Sequence, residues 1–184
     1  FHDLRSPLFV LKGCLQILFD EAEDNPEEQE QMRAVAEEKL TYLTDLTEKL
    51  FFLAKLEDEK FLLSCAPVDV FALLRELCAS YAVAAEQREK RFSFHIEKGS
   101  AVVWGDGMRL KQVVNNIFEN ALRYTQPGGS IELRAIREEE RVLVSLRDNG
   151  PGIPPEKLES VFERYYRADD RAKHSSGLGL AIAR

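Results

Sequence analysis

The sequence predicts an α+β protein, with an antiparallel helical hairpin at the N-terminus that completes a four-helix bundle as a dimer, followed by a two-layer α/β sandwich. Leucines spaced four and three apart run from Leu4 to Leu18, and a second long helical pattern follows from Pro26. From about Phe61 the pattern changes, and beyond Ala66 to Val68 short alternating stretches are interleaved with two amphipathic helices. The chain has 184 residues, 45% hydrophobic and 31% charged, which suits one sizeable soluble domain or two small ones.

In the first helix Leu4, Leu8, Leu11, Leu15 and Leu18 make a narrow seam for helix packing. Asp24, Asn25 and Pro26 end it, and Glu27, Glu28 and Glu30 favour the start of the next. That second helix is expected from Pro26 to Asp58, with Leu43, Leu46, Leu50 and Leu53 in heptad spacing and Leu40, Phe52 and Leu56 widening the stripe. A two-helix hairpin cannot bury two apolar faces alone, so a homodimer is expected. The hairpin is assigned to residues 1–62 and the second domain to 66–184. Ala66, Pro67 and Val68 mark the boundary, and Phe61 to Val68 is the natural hinge.

Val68 to Glu86 reads as an amphipathic helix with Val70, Phe71, Leu74, Leu77, Cys78 and Tyr81 on its apolar side. Arg91 to Glu97 alternates as a strand, with Phe92, Phe94 and Ile96 on one face and His95 towards solvent. Ala101 to Trp104 is a second short strand, and Asp106 is placed to cap the next helix. That helix, Leu110 to Thr125, has an apolar stripe of Val113, Val114, Ile117, Phe118, Ala121 and Leu122. Ile131 to Ile136 and Val142 to Arg147 read as an antiparallel pair, so an antiparallel sheet with helices on one face is expected.

Charge narrows the function. Lys plus Arg number 25 against 32 Asp plus Glu, net −7, which gives no encouragement to nucleic-acid or anionic-membrane binding. No apolar run approaches bilayer-spanning length and no signal peptide is present, so this stretch is expected to be soluble and cytoplasmic, without membrane contact. Cys14, Cys65 and Cys78 are far apart and odd in number, which suits reduced, mostly buried thiols. A start at Phe1 and a stop at Arg184 inside a helical pattern read as a piece of a longer protein.

Chemistry concentrates in a few stretches. Asn116 and Asn120 are one turn apart beside a packed stripe, with Arg123 and Tyr124 following. An unpaired buried amide is costly, so two on one face point to an external ligand with oxygen donors and a cation, although a capped or solvated face is the commoner reading of such a pair alone. Asp148 ends a strand in DNGPGIP, where closely spaced glycines let backbone approach a ligand and the carboxylate can accept from an exocyclic amine. VFERYYR, the polar stretch ADDRAKHSS and GLGLAIAR come next; the polar stretch suits a lid, and Gly177, Leu178 and Gly179 open a helix start whose N–H groups can receive phosphate. At the other end, FHDLRSPL places His2 and Ser6 one turn apart. Asp3 can accept the second imidazole N–H and raise the basicity of His2, and Pro7 should kink the helix. An isolated His-Asp pair is more often a solvated one; the whole octet favours a chemical role.

These motifs, in this order, resemble those of bacterial two-component sensor histidine kinases, and the likeness covers nearly the whole chain. FHDLRSPL is similar to the family's phosphoacceptor box, NNIFENALRYT to its asparagine box, DNGPGIP and GLGLAIA to its two glycine boxes and VFERYYR to its phenylalanine box. The resemblance implies a phosphoacceptor and dimerisation hairpin followed by an ATP-binding domain of the gyrase, Hsp90, histidine kinase and MutL superfamily. It implies that His2 is phosphorylated with Asp3 as orienting base, that Asp148 holds the adenine amine, and that Asn120 and Asn116 bind Mg²⁺ and the phosphates. Arg123 and Tyr124 would line the nucleotide, while Gly150, Gly152, Gly177, Leu178 and Gly179 would shape the pocket and lid. The phosphoryl group would pass to an aspartate of a response-regulator receiver domain, and the full-length protein would be attached to a membrane.

The chain departs from the family pattern at Ser6, where threonine is usual; its hydroxyl is the one implicated in dephosphorylating the regulator, so phosphatase activity remains open. The lid lacks the usual extra glycine and threonine, and His174, Ser175 and Ser176 stand there. A hydrolase of the same superfamily needs a water-activating glutamate one turn before the metal-binding asparagine, where this chain has Asn116; Glu119 is about 100° around the helix from Asn120. An anti-sigma-factor serine kinase would lack residues 1–60. The remaining alternative is an ATP-binding scaffold or phosphatase-only regulator.

Overall fold

A computed structural model describes residues 2–19, 25–56, 62–163, 166 and 177–183, with backbone alone for His2, Asp3, Leu53, Lys55 and Leu56. The chain divides into two compact units, one holding the helical hairpin and the other beginning at Leu62.

The first unit is α1 (His2–Leu18) packed against α2 (Pro26–Leu56). Asn25 starts α2, its side-chain oxygen accepting from the Glu27 N–H at 3.2 Å. Pro7, Cys14, Leu43, Leu46 and Phe52 are buried between the helices. The leucine seam of α1 therefore splits. Leu4, Leu11 and Leu18 are half-buried, whereas Leu8 and Leu15 are 52% and 41% exposed and border a shallow apolar depression with Phe19.

The second unit contains β1 (Ala66–Asp69), α3 (Val70–Glu86), β2 (Arg91–Ile96), β3 (Val102–Gly105), α4 (Gly107–Tyr124), β4 (Ser130–Glu138), β5 (Arg141–Asp148) and the short helix α5 (Gly179–Ala183). Two sheets form among the described residues, β1 with β3 and β2–β4–β5. The expected antiparallel sheet is corrected to a mixed one: β4 and β5 are antiparallel, but β2 and β4 run parallel because β3 and α4 form a crossover between them. The expected hinge is also corrected in part. Ala66 to Asp69 is a strand paired with Val102 to Gly105, and α3 begins at Val70.

Two aspartates set the helix starts. Asp69 Oδ1 accepts from the Phe71, Ala72 and Ala101 N–H groups, so one carboxylate caps α3 and ties it to the approach to β3. These bonds, that from Ala101 foremost, hold its carboxyl below the ordinary range. Asp106 caps α4 through Oδ1, accepting from Met108 and Arg109, while its Oδ2 accepts from the Ser64 N–H at 3.1 Å. The bond from Arg109 leads those that hold this carboxyl low as well.

Behind these caps lies one core. Phe71, Leu74 and Cys78 of α3, Phe118 and Leu122 of α4, and Ile131, Leu133 and Ala135 of β4 are buried together. Each large apolar side chain so buried contributes about 1.5–3 kcal/mol. Burial pushes the Cys78 thiol up to about 11. Cys14 is likewise buried and Cys65 is exposed, in keeping with thiols expected to be mostly buried. Phe94, on edge strand β2, remains 52% exposed although it stacks beside Phe92.

Candidate active site

The core holds α4 against the sheet by Phe118, Ala121 and Leu122, and this fixes which residues it turns outward. Asn116 is 5% exposed and its Nδ2 has no hydrogen-bond partner among the described residues. Asn120, one turn on, is half-buried, as is Tyr124, and Arg123 is exposed. Glu119 is exposed on a different face from Asn120.

At the C-terminal end of α4 the glycine loop closes in. Asp148, the last residue of β5, is exposed and its Oδ1 accepts from the Gly150 N–H at 2.8 Å, which fixes the carboxylate to the turn. A Cβ on Gly150 would lie 2.8 Å from that oxygen and 3.1 Å from the Tyr124 carbonyl oxygen, so only glycine lets the loop lie directly against the end of α4. Asn149 supplies a latch that the sequence reading missed. Its Oδ1 accepts from the Ser130 N–H at 2.8 Å and its own N–H donates to the Ser130 carbonyl at 3.2 Å, extending the β4–β5 ladder up to the loop.

The second glycine motif meets the same helix at Asn116. Gly177 takes φ +64°, Leu178 is fully buried, and Gly179 opens α5 facing Asn116: a Cβ there would lie 3.8 Å from Asn116 Oδ1. Ile182 of α5 is buried, and the 3-10 turn Ser160–Phe162, with buried Val161, packs against that helix. Gly179 thus lies beside Asn116 within α4, and Gly150 with Asp148 beside Tyr124 at the end of the same helix. The stretch 167–176, with His174, lies outside the described residues, as do Arg164 and Tyr165 of the aromatic-basic box.

A second missed residue is Asn115, whose Oδ1 accepts from the Tyr81 hydroxyl at 2.5 Å. The doubled asparagine was the available signal, but its partner lies on another helix. Lys90 Nζ donates to the Leu122 carbonyl near the end of α4; desolvation, then nearby Arg88, lowers its pKa. In the first unit, Ser6 is exposed on α1, and His2 and Asp3 occupy the first turn of the same helix, their side chains outside the described residues.

Comparison with known proteins matches both units. Residues 2–59 match the His Kinase A (phospho-acceptor) domain, and residues 105–184 match the Histidine kinase-, DNA gyrase B-, and HSP90-like ATPase family. Signal transduction histidine-protein kinase BaeS of Escherichia coli (strain K12) is 35% identical over 185 residues, covering 98% of this chain and 38% of BaeS. The chain spans well under half the length of the curated relatives it matches. Full-length ShkA, solved in complex with AMPPNP, superposes with TM-score 0.72 at 27% identity over 98% of this chain and 38% of that one. Histidine kinase ThkA, solved with response regulator protein TrrA, shares the fold with TM-score 0.77 at 22% identity, covering 100% of this chain and 51% of ThkA.

Proposed function

The chain belongs to the histidine kinase family, and we propose that it is the core of a two-component sensor that uses ATP to phosphorylate His2 and passes the phosphoryl group to an aspartate of a response-regulator receiver domain. The observation that carries this reading is Asn116, an amide 5% exposed whose nitrogen has no partner among the described residues and whose oxygen faces Gly179. Leaving such a group unmet costs about 1–3 kcal/mol, which a phosphate oxygen would offset. Asp148, fixed by Gly150, accepts from the adenine amine. Asn116 and Asn120 hold phosphate and Mg²⁺, and Arg123 and Tyr124 line the nucleotide.

The donor set fits that ion. Amide oxygens are hard ligands, and no group of three or more His, Cys, Asp or Glu residues placed to hold a metal exists among the described residues; this suits an ion held by one or two protein groups together with substrate phosphates. When bound, Mg²⁺ neutralises charge on the triphosphate. The phosphoacceptor is the neutral imidazole of His2, whose nitrogen forms a bond to the γ-phosphorus in line as the bond to the bridging oxygen breaks and ADP leaves. Asp3 accepts the other N–H and sets the tautomer.

The apolar face of Leu8, Leu15 and Phe19 supports a homodimer through the hairpin. No helix among the described residues is long and apolar enough to cross a membrane; a cytoplasmic place for this part, with the full-length protein membrane-attached, belongs to the same proposal. Incubation with Mg²⁺ and γ-labelled ATP should give acid-labile, alkali-stable label that is lost in His2→Gln and Asp148→Asn. Nucleotide binding without label would sink the autokinase reading in favour of an ATP-binding scaffold or a phosphatase-only regulator, for which exposed Ser6 would be the residue to follow.

A further inference from the structure

Asn115 lies beside Asn116 in sequence but is turned about 100° away around α4. There it meets α3: the Tyr81 hydroxyl donates to Asn115 Oδ1 at 2.5 Å, and Tyr81 is only 5% exposed. The ring is held on both sides, stacked on Phe118 with centroids 3.7 Å apart and edge-on to Phe92 at 5.9 Å. Phe118 is on α4 one turn after Asn115, so the stack and the hydrogen bond grip the same face of the helix. Burial, with smaller contributions from Cys78 and Glu119, raises the Tyr81 pKa, which keeps the hydroxyl a neutral donor.

We propose that Tyr81 and Asn115 are positioning residues for the nucleotide site, fixing the rotation of α4 about its axis so that Asn116 and Asn120 present their amides to Mg²⁺ and phosphate. The inference rests on the ATP reading above. Apolar packing alone leaves a helix some freedom to turn against a sheet; a partly buried hydrogen bond at one angle removes it. Side-chain amides lie about 5–6 Å from a helix axis, so a turn of roughly 10° moves them by about 1 Å. Displacements of that size cost about 10²-fold in the rate of a reaction that needs a productive geometry.

The test is the affinity of the 184-residue chain for a non-hydrolysable ATP analogue, by calorimetry with Mg²⁺ and with EDTA, alongside melting temperature. Tyr81→Phe should weaken binding in Mg²⁺ by about fivefold, the scale of one hydrogen bond, and leave binding in EDTA, where Asp148 and the glycine loop dominate, unchanged. Asn115→Asp, which keeps the acceptor, should retain the Mg²⁺-dependent gain. Tyr81→Phe with Asn115→Leu removes both polar partners, so melting temperature should recover while the weakened Mg²⁺-dependent binding persists, an outcome that a merely structural bond would not produce. An unchanged Mg²⁺-to-EDTA affinity ratio in Tyr81→Phe would overturn the positioning role. Failure of the unsubstituted chain to gain affinity from Mg²⁺ would instead overturn the ATP reading, and this inference with it.

Discussion

Gly150 and Gly152 are two residues apart yet are required for different reasons. A Cβ on Gly150 would strike Asp148 Oδ1 and the Tyr124 carbonyl, whereas Gly152 has open space around it but takes φ +72°. Gly150→Ala should therefore push the loop off α4, lowering nucleotide affinity about tenfold or more and stability by about 1–3 kcal/mol. Gly152→Ala should cost about 1–2 kcal/mol through left-handed backbone strain alone. Urea melts and calorimetric titration of the two variants check the contrast. At this scale much was legible in the sequence, because Asn116, Asp148 and the glycines are chemically out of place in ordinary helices and strands. Asn115 and Asn149 were not, since their roles depend on Tyr81 and Ser130, which only the fold brings to them.

Among the elements, those with strong internal period were the readable ones. Every residue expected on the apolar side of α3 is buried, with Leu73 and Ala85 in addition, and the β4–β5 hairpin is found where alternation placed it. β1 was missed because four residues containing Pro67 carry little intrinsic strand signal, and their pairing with Val102 to Gly105 is non-local. The parallel pairing of β2 with β4 escaped for the same reason: alternation specifies a face, not a neighbour. The capping aspartates give an element-level prediction. Both Asp69 and Asp106 have folded pKa values below the ordinary 3.8, so the native state binds fewer protons than the unfolded chain. Their contribution is fully present above that ordinary value and is lost as pH falls through the lowered folded ones. Melting temperature should fall steeply below about pH 4. Asp69→Asn, which keeps the cap but cannot titrate, should flatten part of that fall; an unaltered slope would contradict it.

For the whole molecule, the hairpin is the incomplete part. Leu8, Leu15 and Phe19, at 52%, 41% and 81% exposed, leave one side of α1 apolar and uncovered, so Leu8→Lys with Leu15→Lys should convert a dimer into a monomer. Light scattering would read the change directly, and a variant still at twice the monomer mass would refute hairpin-mediated dimerisation. The sequence has its change of pattern from about Phe61 and its expected boundary at Ala66 to Val68, and the second compact unit takes in the loop from Leu62 as well. That loop is fastened by Asp106, whose two oxygens divide their labour: Oδ1 caps α4, and Oδ2 alone takes the Ser64 N–H. Among the described residues, a pull at Ser64 thus loads an exposed bond that water can replace, a mechanical fuse that can part while the cap at Oδ1 stays closed.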